Sequence, residues 1–411
     1  MNKLNPVNTA VIAPSAGESA DSFFKLGIAP GILEILMKIK FSVPTSIQKK
    51  AIPLALQGLD IIGIAQTGTG KTHAFAIPMV QRLAQDAGIG LVLAPTRELA
   101  LQIDEAFHGI ARSFKMRTAC LIGGAPMREQ IRALQAKPRV IIATPGRFID
   151  LMEQKYIPAK EVRILVLDEA DRMLDMGFWP QIQQILKVIP RERQTMLFSA
   201  TIVPEVMTLA STHMKLPVSV EIARPGTTAE KVTQELFIVK KEEKLKLLEK
   251  VLAQYKGSVL MFCRTKHHVR NMTNAVRKMN HRAAEIHSDR SLSQRREALD
   301  GFKSGKYRVL VATDIAARGI DVTGIELVLN YDIPDDAENY VHRIGRTARA
   351  GHQGHAISFA LPDQRSAVRE IEKLIRAPLP VVKHPEFSSE QFEKPVTRSF
   401  YSGRRNFGRR R

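Results

Sequence analysis

The chain has 411 residues, of which 44% are hydrophobic and 25% are charged, and its formal net charge is +20. This length exceeds one typical core and favours two domains, while only two cysteines exclude a disulfide framework and favour a reducing, cytoplasmic location. The positive surplus favours a polyanionic partner such as nucleic acid, although an anionic lipid surface would also attract it. No stretch approaches ~20 apolar residues, so we expect no membrane-spanning segment.

The first part of the chain predicts an α/β domain. Residues 1–20 mix Asn, Pro, Ser and Ala without periodicity, which predicts a disordered lead-in. In residues 21–222, short apolar runs alternate with helical patterns, which is typical of a parallel sheet with helices on both faces. The predicted strands are Ile61–Ala65, Gly90–Ala94, Arg117–Leu121, Val140–Ala143, Ile164–Leu167 and Thr195–Phe198.

A second domain of similar design follows a predicted linker at residues 223–230. In residues 231–376 the same alternation resumes, so the sequence predicts two tandem α/β domains, each a parallel sheet with helices on both faces. The predicted helices are Lys241–Gln254, Lys266–Met279 and Gln294–Lys303. The predicted strands are Ser258–Phe262, Ala283–Ile286, Arg308–Ala312, Leu327–Tyr331 and His355–Phe359.

The last predicted segment, residues 377–411, is a basic tail. From Pro395 to Arg411 it holds six arginines, three aromatic residues and no acid. This composition predicts a flexible arm in which arginines pair with phosphates and aromatic rings stack on unpaired bases. A tail that only improves solubility is the alternative.

The strongest motif is Ala65-Gln-Thr-Gly-Thr-Gly-Lys-Thr72, which lies between a predicted strand and a helix. Glycines let backbone N–H groups turn towards phosphate oxygens, and the positive end of the helix dipole points to the same place. Lys71 would neutralise the β- and γ-phosphates of ATP, and the Thr72 hydroxyl would ligate Mg²⁺. The predicted nucleotide-binding residues of the loop are Gln66, Thr67, Gly68, Thr69, Gly70, Lys71 and Thr72.

A pair of acids completes this site. Asp168 and Glu169 follow the apolar strand Val162-Arg-Ile-Leu-Val-Leu167, and acids at the carboxyl end of such a strand face the ligand crevice. Asp168 would hold Mg²⁺ and Glu169 would orient and deprotonate the attacking water. Two solvated strand-end acids are the alternative, and the phosphate loop argues against it.

With the tetrapeptide Asp168-Glu-Ala-Asp171, the chain resembles a DEAD-box ATP-dependent RNA helicase over roughly residues 23–376. The resemblance implies that the two tandem α/β domains are RecA-like. The resemblance implies that Gln48, in Phe41-Ser-Val-Pro-Thr-Ser-Ile-Gln48, reads the adenine edge and that Phe23 packs near the base. It also implies that a set of residues couples hydrolysis to strand separation: Asp171, Ser199, Thr201 and His342. The compact core and short basic tail are similar to a bacterial RhlE-like member.

Three polar turns in the first domain resemble RNA-contacting segments of the family. They are Pro95-Thr-Arg-Glu-Leu-Ala100, Gly123-Gly124 and Thr144-Pro-Gly-Arg147, and each follows a predicted strand. Hydroxyls, exposed N–H groups and arginines suit contacts to phosphate and sugar that do not read bases. The candidate RNA-binding residues here are Pro95, Thr96, Arg97, Gly124, Thr144 and Arg147.

The resemblance assigns some residues of the second domain to RNA binding and others to nucleotide binding. It implies that Arg264 and Thr313 contact RNA and that Gly319 and Asp321 face the nucleotide. In His342-Arg-Ile-Gly-Arg-Thr-Ala-Arg349, it makes Arg346 and Arg349 finger residues for the γ-phosphate, a role that suits a permanently charged, planar guanidinium.

The clearest departure from the family pattern is at Leu292. Arg295 matches the arginine of a Gln-x-x-Arg segment, but Leu292 falls where the glutamine is expected. Gln294 is a possible substitute, and a weaker RNA or interdomain contact is a second reading.

The sequence therefore predicts an RNA-dependent ATPase, with ATP and Mg²⁺ as cofactors, that unwinds short duplexes or remodels ribonucleoprotein. Its partner would be single-stranded or short duplex RNA with little sequence specificity, and ribosomal or RNA-decay complexes both fit. Two alternatives stay open: an ATP-gated RNA clamp that rarely unwinds, and a DNA helicase of the same superfamily.

Overall fold

The computed structural model describes most of the chain between Ser22 and Glu393. The described residues are 22–39, 41–65, 68–201, 203–222, 232–314, 322, 324–347, 354–386 and 390–393. The predicted lead-in, the predicted linker and the arginine-rich end of the tail are not among these described residues.

The first domain is built on a seven-stranded sheet. All of its pairings are parallel, in the order β3-β4-β2-β5-β6-β1-β7. Its strands are β1 Ile61–Ile64, β2 Ile89–Leu93, β3 Thr118–Leu121, β4 Val140–Ala143, β5 Val162–Leu167, β6 Gln194–Ser199 and β7 Val218–Glu221. The inner strands read as continuous apolar runs because both faces of the sheet are covered.

Nine helices surround this sheet among the described residues. They are α1 Pro30–Lys38, α2 Ser46–Leu56, α3 Lys71–Gln85, α4 Arg97–Ala111, α5 Met127–Gln135, α6 Pro145–Glu153, α7 Ala170–Asp175, α8 Trp179–Val188 and α9 Pro204–His213. Short 3₁₀ turns lie at Phe23–Leu26, Arg112–Phe114 and Ala159–Glu161. Two buried clusters, one on each face of the sheet, hold these layers together.

The second domain repeats the design with six parallel strands in the order β10-β11-β9-β12-β13-β8. The strands are β8 Val232–Ile238, β9 Val259–Phe262, β10 Ala283–Ile286, β11 Val309–Ala312, β12 Leu327–Asn330 and β13 Gly354–Ala360. The described helices are α10 Lys244–Gln254, α11 Lys266–Lys278, α12 Leu292–Lys303, α13 Ala337–Ile344 and α14 Arg365–Ile375.

The predicted fold class of two parallel-sheet α/β domains is confirmed. The predicted strands differ from the observed ones by at most two residues at either end, and α10 begins three residues later than predicted. The sequence analysis missed two strands, β7 and β8, which lie at the edges of their sheets.

Part of the predicted tail lies on the second domain. The Leu236 N–H donates to Pro380 O at 2.8 Å, and the Val382 N–H donates to Leu236 O at 2.9 Å. Leu379 is buried, and Phe392 packs against the core beside β8. This segment therefore covers the edge strand β8, which would otherwise expose unpaired backbone groups.

Candidate functional site: an interdomain ATP and RNA site

The order of strands in the first sheet separates two groups of candidate residues. The ATP motifs follow β1, β5 and β6, which are neighbours in the order β5-β6-β1. The RNA candidates follow β2, β3 and β4, which are neighbours in the order β3-β4-β2. Because the strands are parallel, all six carboxyl ends meet at one edge of the sheet, with the ATP candidates on one half and the RNA candidates on the other.

The phosphate loop leads directly into α3. Gly70 caps the helix with a φ of 89°, a left-handed conformation that glycine adopts without strain. Lys71 is 6% exposed, and its Nζ donates to the Ala65 carbonyl at 2.8 Å. The ammonium therefore lies inside the loop. Gly68 and Thr69 belong to the turn before α3, and Thr72 is the second residue of that helix. Gln66 and Thr67 lie outside the described residues.

Gln48 connects the predicted adenine-reading segment to the loop. Its Oε1 accepts the Thr45 N–H at 2.9 Å, and its Nε2 donates to Gly70 O at 3.0 Å. Gln48 is fully buried. A side-chain amide has a second N–H and further acceptor capacity. Besides these two bonds, Gln48 can therefore still donate and accept hydrogen bonds with an adenine edge. The adenine role of Gln48 stays a prediction.

The two aromatic residues near this segment differ in position. Phe23 is buried in the first domain's core. Phe41 is only partly buried, and its ring lies 4.5 Å from the His73 ring, centroid to centroid. Phe41, which stands seven residues before Gln48, is therefore the aromatic ring at the rim of the loop, a position that the sequence analysis did not assign.

Asp168 and Glu169 lie side by side but have opposite electrostatic environments. Burial raises the pKa of Asp168 to about 7, although Lys71 acts against this. Burial would also raise the pKa of Glu169, but Arg172, Lys71, Arg346 and His342 together lower it to about 2. Glu169 is therefore ionised at neutral pH, whereas Asp168 is poised to gain or lose a proton.

Backbone strain accompanies this arrangement. Glu169 has a φ of 51° and a ψ of 54°, which is a left-handed conformation that non-glycine residues rarely adopt. Such strain concentrates at functional sites, where the surrounding structure enforces it. Arg172, three residues further along α7, forms a buried ion pair with Glu169. The sequence analysis missed Arg172, although its i, i+3 spacing from Glu169 was a signal.

Asp171 joins this loop to the end of β6. Its Oδ2 accepts the Ala200 N–H at 2.9 Å, the Thr201 N–H at 2.9 Å and the Thr201 hydroxyl at 3.0 Å. The Ser199 hydroxyl in turn donates to Thr201 O at 2.7 Å. Charge-assisted hydrogen bonds therefore join the loop after β5 to the end of β6.

The second domain contributes side chains to the same site. Arg346 is 3% exposed and its charge helps to lower the pKa of Glu169 across the domain interface. Burial lowers the pKa of His342 to about 4, although Asp171 and Glu169 act to raise it. His342 is thus neutral at pH 7 and faces the acids of the first domain. Gly319, Asp321 and Arg349 lie outside the described residues.

Arg343 organises this part of the second domain. Its Nε and Nη2 bind the Asp314 carboxylate at 2.5 and 2.7 Å, and its Nη1 donates to Asn330 Oδ1 and Asp332 O. Its guanidinium also lies 4.9 Å from the centre of the Phe262 ring. The sequence analysis did not single out Arg343, because only the fold brings Asp314 and Asn330 to it.

The RNA candidates of the first domain form one surface. A Cβ on Gly124 would lie 2.5 Å from Arg97 Nη1, so the bare glycine lets the guanidinium lie against the backbone. Arg147 Nη1 donates to Ala125 O at 3.4 Å. Thr96 caps α4, with its hydroxyl accepting the Leu99 N–H at 3.3 Å. Pro95 and Thr144 stand at the corresponding strand ends, before α4 and α6.

The RNA candidates of the second domain line a cavity shared with the first. Arg264 and Thr313 contribute to a cavity of about 610 Å³ that also includes Asp175, the last residue of α7, and Met176, which follows it. Arg264 forms an ion pair with Asp335 at 3.1 Å. This cavity therefore lies between the two domains.

A buried ion pair joins the domains away from the nucleotide site. Arg295 Nη2 of α12 lies 2.7 Å from Glu98 Oε2 of α4, and both residues are less than 10% exposed. Leu292, at the start of α12, packs against the core of the first domain. The domains are therefore in direct contact, in a closed arrangement.

None of the helices among the described residues combines the length and apolar composition that crossing a membrane requires.

Comparisons with known proteins agree with this geometry. A family model described as DEAD/DEAH box helicase matches residues 45–209, and one described as helicase conserved C-terminal domain matches residues 243–351. The ATP-dependent rRNA helicase RRP3 of Debaryomyces hansenii is 43% identical over 374 residues, which cover 90% of this chain and 78% of that protein.

Solved structures are similar over both domains. Dbp5 of Saccharomyces cerevisiae, bound to RNA and ADP BeF3, has a TM-score of 0.79 at 31% identity and covers 88% of this chain and 96% of its own. Mss116p lacking its NTE and C-tail, bound to ssRNA and AMP-PNP, has a TM-score of 0.82 at 28% identity, covering 91% and 82%.

Proposed function

This chain belongs to the DEAD/DEAH box helicase family, and we propose that it hydrolyses ATP when its two domains close together on RNA. It is an ATP-dependent RNA helicase, an RNA-dependent ATPase that unwinds short duplexes or remodels ribonucleoprotein. The observation that carries the closure proposal is electrostatic. Arg346 of the second domain helps to lower the pKa of Glu169 of the first, and such an effect requires the two groups to be close.

Each side chain has a distinct role in this proposal. Lys71 neutralises the β- and γ-phosphates, and Glu169 orients and deprotonates the attacking water. Arg346 stabilises charge on the transferred phosphoryl group, and Arg349 is proposed as a second finger. Because Arg346 belongs to the other domain, hydrolysis depends on closure.

The residues that would hold Mg²⁺ are Thr72 and Asp168. A hydroxyl and a carboxylate suit this ion, which prefers oxygen ligands. Burial raises the pKa of Asp168 to about 7, so a bound cation would stabilise a carboxylate that is otherwise poorly solvated. When bound, Mg²⁺ supplies charge neutralisation at the phosphate oxygens. The donor set therefore fits the ion.

RNA recognition would depend on backbone contacts. Arg97, Gly124 and Arg147 on one domain and Arg264 and Thr313 on the other offer donors for phosphate and sugar, which carry no sequence information. We therefore infer little sequence specificity for single-stranded or short duplex RNA. The name of the rRNA helicase relative supports ribosomal RNA as the substrate, and RNA-decay complexes are a second possibility.

Closure would be transmitted through the coupling residues. Asp171 holds Thr201 through two hydrogen bonds. The charge of Asp171 also acts to raise the pKa of His342 in the second domain. A change at the nucleotide would thus reach β6 and the second domain together. The proposed consequence is a local bend in one RNA strand, which separates a short duplex.

Two finer assignments are proposals as well. The compact core and short basic tail support an RhlE-like subgroup, whereas the reported curated relative is a yeast rRNA helicase. Two free cysteines, Cys120 and Cys263, support a reducing, cytoplasmic location. The domain limits at 222 and 231 are also proposals, since the linker lies outside the described residues.

The decisive experiment measures ATP hydrolysis with no nucleic acid, with RNA and with DNA of the same sequence. We expect stimulation by RNA alone, while equal stimulation by DNA would favour a DNA helicase. A second assay compares duplex unwinding with the lifetime of the RNA complex. Long-lived complexes without unwinding would favour the ATP-gated clamp. Full ATPase activity without RNA would contradict the closure mechanism.

A further inference from the structure

The first turn of α12 forms a contact with the first domain outside the candidate nucleotide site. Its Arg295 binds Glu98 of α4, and its Arg296 is close enough to Cys120 to act on the pKa of that thiol, which burial raises to about 12. Its Leu292 packs against the apolar core of the first domain. A single helical turn thus brings two cations and one leucine to the other domain.

We propose that Leu292 is a positioning residue, an apolar contact that holds the closed arrangement and sets the RNA concentration at which the ATPase is active. This role rests on the proposed closure mechanism, because Leu292 would shift the equilibrium between the open and the closed arrangement of the domains. When the domains separate, Leu292 returns to water, so its burial favours closure. The neighbouring ion pair adds less, because removing both charges from water offsets most of their attraction.

The amide two residues further on does not replace Leu292 at this interface. Gln294 is exposed. Its side-chain Oε1 accepts the Ser291 N–H at 3.1 Å, and its backbone N–H donates to the Ser291 hydroxyl at 3.3 Å. These bonds form a capping box that begins α12. Leu292 is therefore the side chain of this turn that meets the apolar surface of the first domain.

The same contact is linked to the RNA surface through Arg97. Burial lowers the pKa of the Arg295 guanidinium, Glu98 raises it, and Arg97 lowers it further. Arg97 and Arg295 thus repel each other in the closed arrangement. An RNA phosphate bound to Arg97 would neutralise that repulsion, so RNA binding and the docking of α12 should favour each other.

The test compares Leu292→Ala with a matched control, Leu245→Ala. Leu245 is the second residue of α10 in the same domain, is 40% exposed and belongs to none of the described core clusters. For Leu292→Ala we expect the RNA concentration that half-saturates the ATPase to rise about five- to ten-fold, the factor for losing the burial of roughly half a leucine side chain. The kcat at saturating RNA should stay within about two-fold.

A second variant, Leu292→Met, keeps an apolar side chain of similar volume. It should half-saturate within about two-fold of the wild type, and thermal unfolding of all three variants checks that they fold. An unchanged RNA requirement in Leu292→Ala, or equal losses in Leu292→Met and Leu292→Ala, would overturn the assignment of Leu292. A wild-type protein without RNA-stimulated ATPase would instead refute the proposed function.

Discussion

Replacing Arg295 by methionine should disfavour domain closure strongly. The substitution keeps an unbranched apolar stem but removes the guanidinium that lies 2.7 Å from Glu98 Oε2. Within the described part of the chain, neither Glu98 oxygen has a hydrogen-bond partner, so Arg295 provides the main compensation for its charge. In the open protein Glu98 would be hydrated, and the cost therefore falls on the closed state alone.

The magnitude follows from burial. Glu98 is 6% exposed and Arg295 8%, and removing one partner of a buried pair costs about 3–5 kcal/mol. That cost corresponds to a loss of roughly 10²- to 10⁴-fold in the closure equilibrium. Removing both charges, in Glu98→Gln with Arg295→Met, leaves no unpaired ion, so the double variant should lose less than Arg295→Met alone.

The assay is a double-mutant cycle on RNA affinity in the presence of a non-hydrolysable ATP analogue. It needs the wild type, Glu98→Gln, Arg295→Met and the double variant. RNA affinity without nucleotide is the control and should change little. Strictly additive losses, or an Arg295→Met variant with wild-type affinity, would refute the assignment of this pair to closure.

The remaining predictions treat nucleotide binding and RNA binding separately. Lys71→Ala should abolish ATPase, and RNA-stimulated turnover in that variant would contradict the site. Burial raises the pKa of Asp168 to about 7, and its ionised form binds the cation. Mg·ATP affinity, measured by fluorescence titration, should therefore fall about ten-fold per pH unit below 7 and level off above it, and Asp168→Asn should remove this dependence. Gly124→Ala would place a Cβ 2.5 Å from Arg97 Nη1 at a φ of 78°, so RNA binding should weaken about ten-fold while nucleotide affinity persists. Deleting residues 395–411 should weaken RNA binding but keep the maximal ATPase rate, and an unchanged salt dependence would refute the tail assignment.

The sequence predicted most of the regular structure because its apolar runs are buried on both faces of a sheet. Every residue of strands such as β4 and β6 is buried, and each strand contains an apolar run. The edge strand β7 does not, since Val218–Glu221 is only half buried and pairs on one side with β1. A short, alternating segment becomes a strand when a partner is present, and its partner lies about 150 residues away in the chain.

The candidate site residues also divide into those that a local motif indicates and those whose importance depends on the fold. Motif spacing alone indicated Lys71, Asp168 and Glu169, because phosphate binding requires those residue types in a fixed local order. Arg172, Arg343 and Glu98 were missed. The partners of Arg343 and Glu98 are distant in the chain, and Arg172 stands out only once the position of Glu169 is known.

The sequence by itself determined the fold class, the phosphate loop and the family resemblance, since these depend on local patterns of apolar, glycine and charged residues. Only the tertiary structure decided that the ATP candidates and the RNA candidates lie on separate halves of the first sheet, because the order of strands is not written in their sequence. It also decided that Arg346 reaches Glu169 and that Leu292 meets the other domain. Electrostatic and apolar contacts act over a few ångströms, and residues that far apart in the chain come within that range only when the domains close.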